Sequence, residues 1–291
     1  MRFAVSVFSC LIAACACMGA VRAAEAPIVV AAENTWGDLA AQVAEPDMHV
    51  HSILASPALD PHLYEPGPAE GRLVHDATLI VANGAGYDAW IDRLAQARGG
   101  KQVPIVRADG WSGWHEGDNA HLWYNLAAVA SFVGRFVVVC QQVDPAHAQA
   151  YEARGKTLLA AVDQVRQQIV DVRSKTVGQP VAATEPVFTP LADSLGLHMT
   201  QQAFQQAIMN DVEPPASAVA AFERDISQHH VRLVAYNAQA DRPSVQRLIA
   251  QARQEKIPVL PVLEIMPPDQ HWQTWVQHTV TQVAQAFGQE P

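Results

Sequence analysis

Two histidines and two glutamates stand at positions where their side chains could bind one metal ion. His62 lies in the proline-rich segment LASPALDPHLYEPGP, and His121 lies in the segment WHEGDNAHLWYN. Glu185 ends the apolar run PVAATE, and Glu264 ends the apolar run IPVLPVLE. Taken singly, each has an ordinary explanation, such as a surface histidine or a carboxylate near a helix N-terminus. Together, two imidazoles and two carboxylates form a mixed nitrogen and oxygen ligand set that suits Zn²⁺ or Mn²⁺.

The elements that must position these residues are two groups of predicted strands. Seven short runs are apolar and rich in β-branched residues, and helix-like segments separate them, which indicates strand–helix units with mostly parallel sheets. The runs are 28–34, 48–55, 78–84 and 103–108 in the first group and 180–185, 231–238 and 257–264 in the second. Ligands of open α/β sheets bind beyond the carboxyl ends of the strands, so all four candidate residues stand where a site is expected.

A long helix is predicted between the two groups of strands. Asp144-Pro145 is a typical helix start, and Gly178 and Pro180 end the helix. The apolar residues between them recur mostly three or four positions apart, as on one face of a helix. These residues are Tyr151, Leu158, Val162, Val165, Ile169 and Val172. The sequence therefore predicts an α/β fold with two lobes, each a mostly parallel sheet flanked by helices, joined by one long backbone helix.

The predicted division of the chain has four parts. Residues 1–23 are a signal peptide, residues 24–143 the N-terminal α/β lobe, residues 144–177 the connecting helix and residues 178–291 the C-terminal α/β lobe.

The N-terminus predicts export from the cytoplasm. Arg2 precedes an apolar run, and Val21-Arg22-Ala23 fits the small-x-small rule for signal cleavage. The run is shorter than the roughly 20 residues that a membrane span needs. Ile12-Ala13-Ala14-Cys15 resembles a bacterial lipobox, so lipid anchoring at Cys15 is an alternative. We favour a soluble protein exported to the periplasm.

Composition limits the classes of function. The chain has 291 residues, 49% of them hydrophobic, which is enough for a sizeable core, and its formal net charge is −10. No basic run occurs, so no nucleic-acid partner is expected. Of the four cysteines, only Cys140 remains after signal cleavage, which excludes an internal disulfide and a thiolate metal site. The G-x-S-x-G and H-E-x-x-H signatures of common hydrolases are missing.

Four pieces of the sequence, in order, resemble the metal-binding solute-binding proteins of bacterial zinc and manganese ABC importers. They are DPHLYEPGPAEGRLVHDATLIVANGAGYDAWIDRL, AHLWYNL, TEPVFTPLADSLGL and IPVLPVLEIMPP. This resemblance covers nearly the whole mature chain and implies the same two lobes and rigid helix. The first two histidine ligands of the family fall on His62 and His121. The third ligand, His in many zinc receptors and Glu in many manganese receptors, falls on Glu185. The last, usually an Asp, falls on Glu264.

The resemblance implies capture and delivery of a metal rather than catalysis. One divalent transition metal would be the transported ligand, and the partner would be the membrane permease of an ABC importer with its cytoplasmic ATPase. A monomer is expected. The general affinity order slightly favours Zn²⁺ over Mn²⁺, whereas a carboxylate at Glu185 keeps Mn²⁺ open. The alternatives are a surface metal-binding adhesin or metal-buffering lipoprotein, and a periplasmic metallohydrolase, for which we can name no general base beyond the ligands.

Overall fold

The structure is a computed structural model of the chain, and it describes residues 26–100, 102–110, 113–240 and 242–288. Within these residues the α/β fold with two lobes and one long helix is confirmed. The predicted signal peptide, with Cys15, lies outside the described residues.

The N-terminal lobe is built around a parallel sheet of four strands in the order β2-β1-β3-β4. The strands are β1 (Ile28–Glu33), β2 (His49–Leu54), β3 (Leu79–Ala82) and β4 (Ile105–Arg107). The helices are α1 (Asn34–Ala44), α2 (Pro68–Asp76), α3 (Ala89–Ala97) and α4 (Leu126–Val143). The two central strands are almost entirely buried, as expected for a sheet covered by helices on both faces.

The connecting helix is α5 (Ala148–Thr176), which follows a short 3₁₀ turn at Pro145–His147. Its 29 residues span about 43 Å at ~1.5 Å per residue. Every apolar residue of the predicted stripe is buried. This face packs against α1 and α4. The periodicity in the sequence therefore identified the buried face correctly.

The C-terminal lobe repeats the plan with the strand order β6-β5-β7-β8, again all parallel. Its strands are β5 (Pro180–Ala183), β6 (His198–Thr200), β7 (Leu233–Asn237) and β8 (Val259–Val262). Its helices are α6 (Thr189–Ser194), α7 (Gln202–Met209), α8 (Ala216–Ser227), α9 (Pro243–Gln254) and α10 (Trp272–Ala286). The edge strand β6 was not among the seven predicted strands, because three residues give too short a pattern to recognise.

One hydrophobic core runs through both lobes. It contains side chains from β1, β3 and α4 of the N-terminal lobe, the buried face of α5, and residues of β5, β7 and α10. Because α10 of the C-terminal lobe packs against both α1 and α5, helix packing joins the two lobes. Since the lobes share this core, the predicted domain boundaries, at residues 24–143, 144–177 and 178–291, stay a proposal.

Among the described helices, only α4 is long and apolar enough to cross a membrane by length and composition. Its buried residues include Phe132, Phe136 and Cys140, which belong to the core shared by the lobes. Since α4 packs against α1 and α5, its apolar composition is that of a core helix.

Candidate metal centre

The four predicted ligands lie on loops at the carboxyl ends of the strands. His62 is in the 3₁₀ turn that follows β2, where Oδ1 of Asp60 accepts a 2.9 Å hydrogen bond from the backbone N–H of His62. His121 directly precedes the turn Leu122–Tyr124, Glu185 follows β5, and Glu264 follows β8. The loops at the carboxyl ends of the two sheets thus face one another, where ligands of open α/β sheets bind.

His62, His121 and Glu264 come together as one group. Each offers one ligand atom, and these atoms lie within 4.8 Å of one another. Nε2 of His62 is 3.3 Å from Oε2 of Glu264, and Nε2 of His121 is 3.8 Å from the same oxygen. The side chains of His121 and Glu264 are fully buried, whereas that of His62 is 35% exposed. The group is therefore closed to solvent except on the side of His62.

The surroundings of His121 suit a metal ligand. Its Nδ1 is 2.7 Å from Oδ1 of Asn119, which can only accept a hydrogen bond, so Nδ1 carries the proton and Nε2 carries the lone pair. Within the described part of the chain this buried Nε2 has no hydrogen-bond partner. Burial lowers the pKa of His121 to about 4, so the ring is neutral at neutral pH. A buried lone pair without a donor is what a bound cation would satisfy.

His62 behaves differently because it contacts the carboxylate directly. Its hydrogen bond to Glu264 raises the pKa of His62 to about 9, against the opposing effect of burial. Without a metal, this imidazole therefore holds a proton at neutral pH and donates it to Oε2 of Glu264. A metal at this position replaces that proton, as is general for histidine ligands.

Both oxygens of Glu264 accept hydrogen bonds. The hydroxyl of Tyr87 donates to Oε2 at 2.9 Å, and Nδ2 of Asn237 donates to Oε1 at 2.6 Å. Burial acts to raise the pKa of Glu264, but the hydrogen bond from His62 and the two nearby imidazoles hold it below its usual value. The carboxylate is therefore ionised and fixed in position.

Glu185 lies beside this group rather than within its 4.8 Å limit. Its side chain is buried, and Oε2 accepts a 2.7 Å hydrogen bond from Nδ2 of Asn237, the same amide that holds Glu264. Burial raises the pKa of Glu185 to about 7, and the negative charge of Glu264 adds to the effect. Glu185 is therefore linked to the group of three residues through Asn237, and its role as a metal ligand stays a prediction.

Two side chains that we did not select from the sequence complete the centre. Tyr87 places its ring edge-on to His62, His121 and Trp123, with ring centroids 5.9, 6.2 and 5.1 Å apart. Asn237 ends β7 and is buried. Tyr87 follows β3 and Asn237 is the last residue of β7, so a search of the carboxyl ends of strands could have found them, but neither residue type is a strong metal ligand.

Hydrogen bonds between the lobes hold the loops in place. Oε1 of Gln239 accepts from the backbone N–H groups of Glu264 and Ile265 at 2.6 and 3.0 Å, and its Nε2 donates to the carbonyl of Leu59 at 3.0 Å. Asn34 pairs with the backbone of Met266, donating at 2.6 Å and accepting at 3.1 Å. The loops of His62 and Glu264 are thus tied to each other.

Two parallel-sheet lobes joined by one long helix are also the fold of a solved ZnuA structure. The chain belongs to the family described as ZnuA, zinc-uptake complex component A periplasmic, whose model matches residues 29–286. The expected resemblance to receptors of zinc and manganese importers is confirmed.

Individual relatives are distant. The chain is 28% identical over 151 residues to the metal ABC transporter substrate-binding lipoprotein ScbA of Streptococcus cristatus, and 25% identical over 122 residues to the manganese-binding lipoprotein MntA of Halalkalibacterium halodurans. The first match covers 47% of each chain and the second 38% of each. A crystal structure of ZnuA has the same fold with a TM-score of 0.77 at 15% identity, covering 91% of this chain and all of that one.

Proposed function

We propose that the protein captures one divalent transition metal between its lobes and delivers it to the permease of an ABC importer, whose cytoplasmic ATPase drives release. The observation that carries this proposal is the convergence of His62, His121 and Glu264 within 4.8 Å, with an unpartnered imidazole nitrogen among them. Such a group is costly to bury unless a cation joins it.

The proposed ligands are His62, His121, Glu185 and Glu264. The ligand atoms of His62, His121 and Glu264 already lie within 4.8 Å of one another, and Glu185 is joined to Glu264 through the amide of Asn237. Zn²⁺ is favoured over Mn²⁺, since nitrogen and oxygen sites bind Zn²⁺ more tightly in general. The metal is cargo, and the protein acts as a receptor rather than an enzyme.

The proposed place of action is the periplasm. Residues 1–23 would direct export and be removed, leaving a soluble monomer, and Cys15 offers the alternative of a lipid anchor. Mass spectrometry of the mature protein distinguishes these forms, because cleavage near Ala23 and lipidation at Cys15 leave different N-termini.

Metal-dependent stabilisation tests the function. A ligand that binds only the folded state raises stability by mass action, so Zn²⁺ or Mn²⁺ added to chelator-treated protein should raise the melting temperature. His62→Ala should abolish most of this rise, whereas the exposed His75, which pairs with Asp76, provides the control His75→Ala. A wild-type protein that is folded yet gains no stability from either metal would contradict the proposal.

A further inference from the structure

Asn237 is the side chain that joins the two carboxylates of the centre. Its Nδ2 donates at 2.7 Å to Oε2 of Glu185 and at 2.6 Å to Oε1 of Glu264. A primary amide nitrogen carries two hydrogens, so this one group is fully used by the two carboxylates. Hydrogen bonds to an ionised acceptor are among the stronger ones in proteins.

The orientation of this amide is fixed by its surroundings. Oδ1 of Asn237 accepts from the backbone N–H of Gln239 at 3.0 Å, and a flipped amide would set this oxygen against both carboxylates. The backbone N–H of Asn237 contacts Oγ1 of Thr184 at 3.3 Å, and β7 is paired on both sides in the sheet. The amide of Asn237 is thus held in place by Gln239, Thr184 and the sheet, and its position does not depend on the two carboxylates.

The consequence concerns how each carboxylate can meet a metal. Oε2 of Glu264 faces both imidazoles, while Oε1 is engaged by Asn237. For Glu185, Oε2 is engaged, which leaves Oε1 as the oxygen that can reach a metal without breaking the bond. Binding through two oxygens would require the engaged oxygen either to give up its bond to a buried N–H or to turn its remaining lone pair toward the metal while the scaffold holds that bond in place, and both are unfavourable.

We infer that Asn237 is a specificity-determining residue that restricts Glu185 and Glu264 to one metal-binding oxygen each. This inference rests on the proposed metal-binding function. The centre then offers a metal four ligand atoms, which are two imidazole nitrogens and two carboxylate oxygens. Four-coordinate, tetrahedral sites suit Zn²⁺, whereas Mn²⁺ prefers about six ligands and gains from carboxylates that bind through both oxygens. The ligand class that the site selects is therefore a small ion that accepts four ligands.

Replacing the amide by a side chain of similar size without donors tests the inference. In Asn237→Leu, and in the smaller Asn237→Ala, the carboxylates become free to bind through both oxygens. We expect the ratio of the Mn²⁺ to the Zn²⁺ dissociation constant, measured by titration calorimetry, to fall about tenfold. An unchanged ratio in a folded variant overturns the inference.

Tyr87→Phe is the matched control. It also removes one hydrogen bond to Glu264, but that bond goes to Oε2, the oxygen that already faces the metal position. Both dissociation constants should rise together and their ratio should stay the same. If Tyr87→Phe changes the ratio as much as the Asn237 variants do, general loosening of Glu264 explains the effect, and the inference fails.

A measurement on the wild-type protein does not depend on how any variant folds. X-ray absorption of the zinc-loaded protein should give four nitrogen or oxygen neighbours at about 2.0–2.1 Å. A fifth or sixth neighbour, or a carboxylate bound through both oxygens, overturns the inference while leaving metal capture intact. A wild-type protein that binds neither ion instead refutes the proposed function itself.

Discussion

Tyr87 in the N-terminal lobe donates a 2.9 Å hydrogen bond to Oε2 of Glu264 in the C-terminal lobe. This oxygen is also the one that lies 3.3 Å from Nε2 of His62 and 3.8 Å from Nε2 of His121. Burial raises the pKa of Tyr87 well above its usual value, so the hydroxyl keeps its proton and remains a donor. A single neutral group thus orients the central carboxylate from across the cleft.

Tyr87→Phe should therefore weaken Zn²⁺ binding without abolishing it. Loss of a hydrogen bond that orients a metal ligand typically lowers affinity about 10- to 100-fold, and one bond of this kind places the expectation near tenfold. Titration calorimetry on chelator-treated protein measures the change. Tyr236→Phe should leave the affinity as it was, because Tyr236 lies in β7 and packs against a second apolar cluster in the C-terminal lobe, which includes Phe204 and Phe222. Equal affinities of wild type and Tyr87→Phe would show that the bond does not survive metal binding.

A second pair of acidic side chains lies buried in the N-terminal lobe. Asp88 accepts hydrogen bonds from the backbone N–H groups of Asn83 and Gly84 at 2.6 and 2.9 Å. Burial raises the pKa of Asp88 to about 7, and burial together with the charge of Asp88 raises that of Glu33 well above its usual value. The folded protein therefore holds protons here that the unfolded chain has already lost.

The contribution of Asp88 and Glu33 to the free energy of unfolding of the metal-free protein should fall as the pH rises from about 4 to about 7. Stability is greatest where these carboxyl groups are protonated in both states, and each unit of raised pKa removes about 1.4 kcal/mol above the folded pKa. Asp88→Asn should flatten this decline, measured by urea unfolding near pH 5 and near pH 8. The exposed Asp76, replaced in Asp76→Asn, should keep it. An equally steep decline in Asp88→Asn would place its cause elsewhere, for example at the metal ligands.

The features that could be predicted from the sequence are those that depend on the pattern of nearby residues. The stripe of α5 was readable because helix periodicity needs only spacing, and each of its predicted residues, Val165 and Ile169 among them, is buried. His62, His121 and Glu264 were selected because the sequence shows both the strand ends and the ligand types, and the family resemblance added their order. The structure brings the three side chains together, and their role as ligands stays a prediction.

Contacts between the lobes were not predictable in this way. Tyr87 and Glu264 are 177 positions apart, and no pattern in either segment specifies their distance. Asn237 was not selected because an asparagine at the end of a strand is an ordinary turn residue, and its two carboxylate partners are distant in the sequence. The distance of Glu185 from the other ligands likewise depends on how β5 and β8 are set by packing.

Asn34 joins the lobes next to the centre. Its side-chain Nδ2 donates to the carbonyl of Met266 at 2.6 Å, and its Oδ1 accepts from the backbone N–H of Met266 at 3.1 Å. Met266 lies two residues beyond Glu264. Asn34→Leu leaves both buried backbone groups without a partner, at about 1–3 kcal/mol for each. We expect the metal-free protein to lose at least ~2 kcal/mol in urea unfolding. Asn210→Leu, at an exposed position, is the control and should change stability little. A loss no larger than that of the control would show that water or another donor replaces the amide.

Gly155 allows α5 to approach α4 closely. A Cβ atom at Gly155 would lie 2.4 Å from Cγ2 of Val137, whereas a Cβ at Gly134 in α4 would meet nothing within 4 Å. Gly155→Ala should therefore destabilise the protein by about 1–3 kcal/mol through overpacking. Gly134→Ala should stabilise it by about 0.5–1 kcal/mol, because alanine loses less backbone entropy in a helix.

Urea unfolding of the two alanine variants measures both effects, and Val137→Ala combined with Gly155→Ala identifies their cause. Valine has one strongly preferred rotamer in a helix, so Val137 cannot easily turn away from the added methyl group. Removing its Cγ2 should restore most of the stability lost in Gly155→Ala. If Gly155→Ala alone is as stable as Gly134→Ala, the two helices have room to separate, and the connecting helix is less tightly joined to the N-terminal lobe than its packing indicates.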